Sequence, residues 1–401
     1  MIKTLIKKLI PQFILNWYHF ILAWVGALIY GFPGKKLIVI GVTGTNGKST
    51  VVHLITEILE KSGQKVASLS SIRFKISEKE EKNMLKMTMP GRMKLQKFLR
   101  DAVKAGCKYM ILEVTSEGIK QFRHKFIDFD GAVFTNLTKE HIEAHRGFEN
   151  YKKAKGKLFQ ALQKSPKKNK FAVLNADDEN SKYFSRLVGD VKKYYYGLKD
   201  FEKFNLEIKL LGEFNKYNSL AAYCAGIALG MEKNKILEVL KQAKGVPGRM
   251  ELVIEKPFKV YVDYAHTPDA LEKIYKTLGG GLICVLGSCG GGRDKWKRPE
   301  MGKIANNYCK EVILTNEDPY DENPQAILDD IEKGLISANY ERIIDRREAI
   351  NKALFLAKSG DIAIITGKGC ESWICMANGK KIAWDDRKVV KEEFEKIYGK
   401  L

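Results

Sequence analysis

Apolar residues follow distinct spacings along this chain, and each spacing predicts a different element. Leu37–Val42 is a continuous, β-branched run of the kind shown by a strand buried on both faces. The next stretch, KSTVVHLITEILEKSG from Lys48, has apolar residues at helical spacing. Further strands are expected at 64–71, 104–116 and 131–136, while the densely charged residues 73–87 read as a mobile loop. From Pro247 the pattern restarts. A strand pair in 251–263, helices after Pro268, Pro299 and Pro324, and strands at 282–287, 311–315 and 361–366 repeat the alternation. Strands alternating with helices predict an α/β chain with two sheet domains, 37–245 and 246–401, behind an apolar N-terminal segment of residues 1–36.

That segment breaks the pattern. FILNWYHFILAWVGALIYGFP (13–33) is apolar nearly all round, with Asn16 and His19 its strongly polar side chains. About 20 apolar residues can span a bilayer, and Trp17, Tyr18, Trp24 and Tyr30 are aromatics of the interfacial kind. Two readings stay open, a helix in contact with a membrane and a helix packed on the body of the protein. No small-residue cleavage site precedes Gly31-Phe32-Pro33, which argues against a cleaved signal peptide. Lys3, Lys7 and Lys8 precede the stretch and Lys35 and Lys36 follow it. A spanning helix with the body inside would place the first flank outside, against the positive-inside bias, whereas a helix lying on the inner membrane face keeps both flanks inside.

Composition narrows the class. A chain of 401 residues exceeds one ordinary core, which fits the two-domain reading. Hydrophobic residues at 45% and charged residues at 29% are values of a globular protein rather than a disordered one. The net charge of +21 suits anionic partners such as nucleotides, polycarboxylates, nucleic acid or an anionic membrane, and equally a lysine-rich solvated surface. Seven cysteines without a CxxC pair or zinc-type spacing point to core thiols in a reducing compartment, hence to a cytoplasmic location. A monomer is expected.

The chemistry centres on LIVIGVTGTNGKST (37–50). Gly44 and Gly47 let the backbone approach an anion, and the N–H groups of Gly44, Thr45, Asn46 and Gly47 with the following helix N-terminus point at phosphate. Lys48 adds a fixed charge, and Ser49 or Thr50 offers a hydroxyl to magnesium. The strict P-loop pattern wants glycine where Val42 stands, so the match is physical rather than literal. Glu113 ends the strand KYMILEVT, and the carboxyl ends of parallel strands face one ligand crevice, so Glu113 is a candidate magnesium ligand. Glu140, His141, Glu143 and His145 cluster just beyond the strand at 131–136, with Lys155 on a helical segment. Alone, that cluster fits a solvated loop as well as a metal site.

Taken in order, these motifs resemble the Mur ligases, the ATP-dependent amide-forming enzymes of peptidoglycan assembly. The likeness is nearest to the branch that adds the third amino acid to UDP-N-acetylmuramoyl-L-alanyl-D-glutamate. It covers about residues 37–390 and rests on GVTGTNGKST, EVTSEGIKQFR (113–123), FTNLTKEHIEAH (134–145), YKKAKGKLF (151–159), LNADD (174–178), GEFNKYNSLAA (212–222), VPGRME (246–251), VDYAHTPDALE (262–272), GGRDKWKRPEMG (291–302), GKGCE (367–371) and DDR (385–387). The resemblance implies a P-loop ATPase-type central domain followed by a dinucleotide-fold-like domain. It also implies ATP and Mg2+ as cofactors. Lys48 would hold the β- and γ-phosphates, Ser49 and Glu113 one magnesium ion, and His141 and Lys155 a second, Lys155 as a carbamate. Asn215, Asn218, Arg249, Asp263, Tyr264 and His266 would contact the nucleotide. Thr88, Ser116 and Arg123 would meet the acceptor, and Arg293, Asp318, Tyr320, Gly367 and Glu371 the amino acid. The catalytic set is Lys48, Glu113, His141 and Lys155. The acceptor carboxylate would attack the γ-phosphoryl group, giving an acyl phosphate that the amine displaces, a step that makes closure between domains expected.

Three departures shape the expectations. The family's N-terminal uridine-nucleotide domain is replaced by residues 1–36, which leaves a lipid-linked or other non-nucleotide acceptor as the alternative; folylpolyglutamate synthases are a more distant version of it. Glu317-Asp318-Pro319-Tyr320 stands where diaminopimelate-selecting enzymes carry an arginine in the fourth position, so an amino acid without a distal carboxylate, such as lysine, is expected unless Lys295, Lys297 or Arg298 supplies the charge. In GKGCE, Cys370 reads as a buried thiol and Glu371 as a partner for the amino acid's ammonium. A nucleic-acid-dependent ATPase is disfavoured, because no RNA-binding signature with interleaved aromatics is present and the Lys155 region would have no role in one.

Overall fold

The computed structural model describes residues 11–85 and 87–399. It divides into two compact units, one of residues up to Lys139 with Gly147–Lys244, the other of Glu140–Arg146 with residues from Gly245.

The first unit is built on an eight-stranded sheet of order β4-β3-β2-β5-β1-β6-β7-β8. Its strands are β1 (Ile38–Thr43), β2 (Val66–Leu69), β3 (Arg73–Ile76), β4 (Lys79–Lys82), β5 (Tyr109–Glu113), β6 (Gly131–Phe134), β7 (Phe171–Asn175) and β8 (Lys192–Tyr196). β1 lies between β5 and β6, parallel to both. Its side chains are buried on both faces, where Val39 and Val42 meet different apolar clusters, which is why this segment reads as an unbroken apolar run rather than an alternating one. Gly41 lets the helix Phe148–Lys164 close on the strand, since a Cβ there would sit 2.8 Å from Leu158 and 3.0 Å from Phe129.

One expectation changes here, and one of two open readings is met. Residues 73–82 form a hairpin whose first strand joins β2 antiparallel, rather than a loop. Its exposed strand KEEK lacks apolar alternation because it forms the sheet's edge, where charge discourages pairing with another chain. The segment 13–33 contributes the helix Gln12–Ile29, packed on the helix Arg92–Lys104. Among the described residues no helix is long and apolar enough to cross a membrane.

The second unit has a six-stranded sheet of order β13-β12-β11-β14-β10-β9, parallel except for the edge pair β9–β10. The strands are β9 (Glu251–Ile254), β10 (Lys259–Val262), β11 (Leu282–Leu286), β12 (Cys309–Leu314), β13 (Asn339–Arg342) and β14 (Ile362–Ile365), followed by a hairpin of β15 (Trp373–Cys375) and β16 (Lys381–Ala383). Cys284 and Cys309, expected as core thiols, are joined in a disulfide because neighbouring strands bring their Cα atoms to 6.0 Å. The other five cysteines are thiols, four of them buried, Cys370 included.

Candidate active site

In the first unit the glycine turn sits at the carboxyl end of β1, and the carboxyl ends of its neighbours hold it. Asn46 N–H donates to Asn136 Oδ1 at 2.9 Å, Thr135 Oγ1 donates to Asn46 O at 2.7 Å, and Thr138 N–H donates to Thr45 Oγ1 at 3.0 Å. Gly44 and Gly47 have φ of +151° and +82°. A Cβ on the first would collide with Thr135 and on the second with Asn218, so both the left-handed backbone and the close approach require glycine. The helix Lys48–Lys61 starts immediately after the turn, aiming its unpaired N–H groups out of the loop. Lys48 Nζ donates to Thr45 O at 2.7 Å, across the turn.

Beside the turn lies a pair of buried oxygen donors. Ser49 Oγ donates to Glu113 Oε2 at 2.8 Å, and the same oxygen accepts Ser71 N–H at 2.9 Å. Glu113 is 2% exposed and Ser49 7%. A hydroxyl and a carboxylate, both hard oxygen ligands, fit magnesium, which binds through one or two protein oxygens and takes the rest from phosphate and water. No group of three or more His, Cys, Asp or Glu residues among the described residues forms a closed metal cage. Thr50 is buried on the same first helical turn. Lys155 is also buried and donates to Gly44 O at 2.6 Å, its ammonium 4.4 Å from the centre of the Tyr151 ring. Asn215 and Asn218 share the helix Glu213–Ala228 and are joined at 3.0 Å, with Asn218 against Gly47; another helix, Lys233–Gln242, follows theirs. Thr88 is half-buried and Ser116 buried. Arg123 donates to Met89 O and to Gln121 Oε1 at 2.8 Å, while its buried Nε has no hydrogen-bond partner.

The second unit gathers the other candidates. Asp263 accepts the N–H groups of Met250 and Ala265, each at 2.6 Å, so its carboxylate shapes the backbone beside Arg249. Arg249 stacks its guanidinium 4.1 Å from the centre of the Tyr264 ring, and Tyr264 donates to Glu371 Oε1 at 3.1 Å. His266 Nε2 is 3.2 Å from Glu140 and His141 Nε2 is 3.8 Å from it. Burial alone would raise the Glu140 pKa, but His141, His266 and Lys297 hold it well below the usual carboxylate range. Arg293 Nη1 reaches His141 Nδ1 at 3.5 Å. Sequence reasoning assigned no role to Lys368, which is fully buried and bridges Asp318 at 2.8 Å and Glu371 at 2.6 Å. Glu317 is a second residue without a role in the sequence motifs. Its Oε2 is buried with no hydrogen-bond partner and faces Gly367, whose φ is +103°. Tyr320 is half-buried with φ +52°. The signal for both missed residues was their place in the short motifs GKGCE and EDPY.

A parallel sheet that presents a glycine turn, a lysine and a Ser–Glu oxygen pair at its strand ends defines an enzyme acting on a nucleoside triphosphate. Comparison with known proteins makes this specific. Residues 42–226 match the Mur ligase middle domain and residues 248–369 the glutamate ligase domain of Mur ligases. UDP-N-acetylmuramoyl-L-alanyl-D-glutamate–2,6-diaminopimelate ligases from Bacillus cereus and Halalkalibacterium halodurans are each 40% identical to the chain, across 92% of it and 81% of their own length. A solved structure of such a diaminopimelate ligase aligns at 31% identity with a TM-score of 0.59, covering 90% of this chain and 79% of that one. A Mycobacterium tuberculosis folylpolyglutamate synthase, 14% identical with a TM-score of 0.69 over 86% of this chain and 92% of its own, shares the fold alone. The chain belongs to the Mur ligase family, and it is an ATP-dependent, ADP-forming ligase of peptidoglycan precursor synthesis.

Proposed function

We propose that the protein joins an amino acid to the free carboxylate of a muramoyl-peptide acceptor of the UDP-N-acetylmuramoyl-L-alanyl-D-glutamate type, activating that carboxylate as an acyl phosphate. The observation that carries the reading is the buried Ser49–Glu113 oxygen pair beside the glycine turn and Lys48. The turn's N–H groups and Lys48 bind the β- and γ-phosphates and neutralise charge that spreads over the phosphoryl oxygens as the acceptor carboxylate attacks. Ser49 and Glu113 would hold a magnesium ion, which would supply further neutralisation of that charge. Thr88, Ser116 and Arg123 orient the acceptor. The amine of the incoming amino acid then displaces phosphate, its ammonium form having first been held at Glu371.

Lys155 serves the site as a carbamate. Its remaining N–H would keep the bond to Gly44 O, while its two oxygens would offer the anionic ligands that an ammonium cannot. His141 would serve with it to hold a second magnesium ion, and Asn215, Asn218, Arg249, Asp263, Tyr264 and His266 would contact the nucleotide. The protein works as a monomer in the cytoplasm, in peripheral contact with the inner face of the membrane.

The amino acid follows from charge. Tyr320 offers no cation for a distal carboxylate. The nearby cations are committed elsewhere: Arg298 is bound to Glu322 and Asp330, Lys297 donates to His266 O, and Lys295 pairs with Glu322. Arg293 holds the amino acid's α-carboxylate. Asp318 is already paired with Lys368, and Glu317, whose buried Oε2 has no hydrogen-bond partner, adds negative charge that favours a side-chain ammonium such as that of lysine. Measuring ADP release with UDP-muramoyl dipeptide and competing amino acids tests both statements. Turnover is expected to require acceptor and amino acid together, with lysine favoured over meso-diaminopimelate by at least about tenfold. Stimulation by DNA or RNA instead would overturn the ligase reading, and a preference for diaminopimelate would overturn the amino-acid assignment alone.

A further inference from the structure

The helix Gln12–Ile29 is packed with its polarity inverted relative to an ordinary surface helix. Its inward side carries the small residues Ala23, Gly26 and Ala27, buried against the helix Arg92–Lys104, where a Cβ on Gly26 would come within 3.2 Å of Met93 Cα. His19, polar, faces the same way and bonds Arg92. Phe20 pins the helix to the turn at 121–126 through edge contacts with Phe122 and Phe126, ring centres 6.2 and 5.2 Å apart. Outward go Ile14, Trp17, Ile21, Trp24 and Leu28, at the i, i+3, i+7 spacing of one face, with Trp17 64% and Leu28 53% exposed. A water-facing helix normally shows the opposite arrangement.

The surroundings indicate what covers this face. Residues 11–36 contain no acid, and Lys35 and Lys36 at the end of the segment are exposed. The neighbouring helix Arg92–Lys104 exposes Lys94, Lys97 and Lys104 and has one acid, Asp101. Beyond the Phe20–Phe126 contact, Lys125 is exposed and adds a further cation near the helix. A protein partner would have to match both an apolar stripe with two tryptophans and a mostly cationic rim. A bilayer with anionic headgroups offers both at once, acyl chains for the stripe and phosphate for the rim.

We propose that the outward face of the helix Gln12–Ile29 lies in the headgroup region of an anionic bilayer, with its axis in the membrane plane. The exposed Trp17 and Trp24 reach the acyl boundary while the lysines flanking the stripe meet lipid phosphates. The proposal rests on the placement at the inner membrane face given above, but not on the acceptor or amino acid, so vesicle binding and ligase turnover succeed or fail separately.

The test is sedimentation of the full chain with phosphatidylglycerol-containing vesicles and with purely phosphatidylcholine vesicles, at low and high salt, beside the double variant Trp17→Glu/Trp24→Glu. The protein is expected to pellet with the anionic vesicles, to bind neutral vesicles and high-salt samples far less, and to lose at least about tenfold in partitioning in the variant. Its thermal midpoint should not fall, because both side chains are exposed. Equal partitioning of the two proteins, equal binding to neutral and anionic vesicles, or no binding of the unaltered chain would overturn the proposal. A dimer in gel filtration that the variant abolishes, without vesicle binding, would assign the face to a second copy instead. Should the variant misfold, the lipid and salt dependence of the unaltered chain decides by itself.

Discussion

Lys48→Ala is expected to lower kcat for ADP release by about a thousandfold, roughly 4 kcal/mol of transition-state stabilisation, while the protein stays folded. The expected loss is large because the proposed mechanism puts the side chain's positive charge where charge develops. In phosphoryl transfer little covalent work falls to the protein, and catalysis is mostly placement and neutralisation of the transferring group. The fold should survive because Lys48 is half-buried and its bond to Thr45 O is one of several that hold the turn, the others being the contacts from Asn136, Thr135 and Thr138. Steady-state rates with saturating acceptor and amino acid, beside a melting curve, check both halves. A loss smaller than tenfold would mean that Lys48 does not face the phosphates.

Lys155→Ala is expected to cost a further order-of-magnitude class of activity, about a hundredfold or more, and to respond to added anions. The side chain is only 2% exposed, and it points at a backbone carbonyl of the phosphate turn. On the proposed reading, a permanent ammonium there would add a cation beside a magnesium site, whereas a carbamate would supply two hard oxygens and retain an N–H for Gly44 O. Short carboxylates such as formate or acetate should restore part of the turnover of Lys155→Ala, and the unaltered enzyme should slow in buffer stripped of carbon dioxide. Truncation also leaves the buried Gly44 carbonyl without this donor, a stability cost of about 1–3 kcal/mol that a melting curve reads separately. Full activity of the variant in carbon-dioxide-depleted buffer would rule the carbamate out.

Much of this site could be read before the fold was known, for physical reasons that differ from residue to residue. The run Leu37–Val42 and the helical spacing after Lys48 fix a strand, a turn and a helix in succession, and a strand ending in Glu113 has one place to go in a parallel sheet. The hairpin at 73–82 was illegible because an edge pair is held by backbone bonds and by contacts such as Arg73–Glu80, 2.8 Å, not by an apolar face. Lys368 was illegible as a buried bridge, since its partners Asp318 and Glu371 come from a different motif and from its own turn and only the fold brings them together. The same holds for Cys284 and Cys309, 25 residues apart and paired through strand neighbourhood alone. For the helix Gln12–Ile29 the sequence shows apolar residues on every side. Which side turns inward depends on where small residues let it approach Arg92–Lys104.

In the proposed reaction the acceptor carboxylate is activated by taking the γ-phosphoryl group of ATP. The most direct measurement labels that carboxylate with 18O and follows the label during ligation. If an acyl phosphate forms, the carboxylate oxygen bridging to phosphorus leaves with it when the amine attacks, so each amide made should release one phosphate carrying one labelled oxygen. Inorganic phosphate without label, formed at the same rate as the amide, would show that ATP hydrolysis and amide formation proceed without that intermediate and would contradict the account.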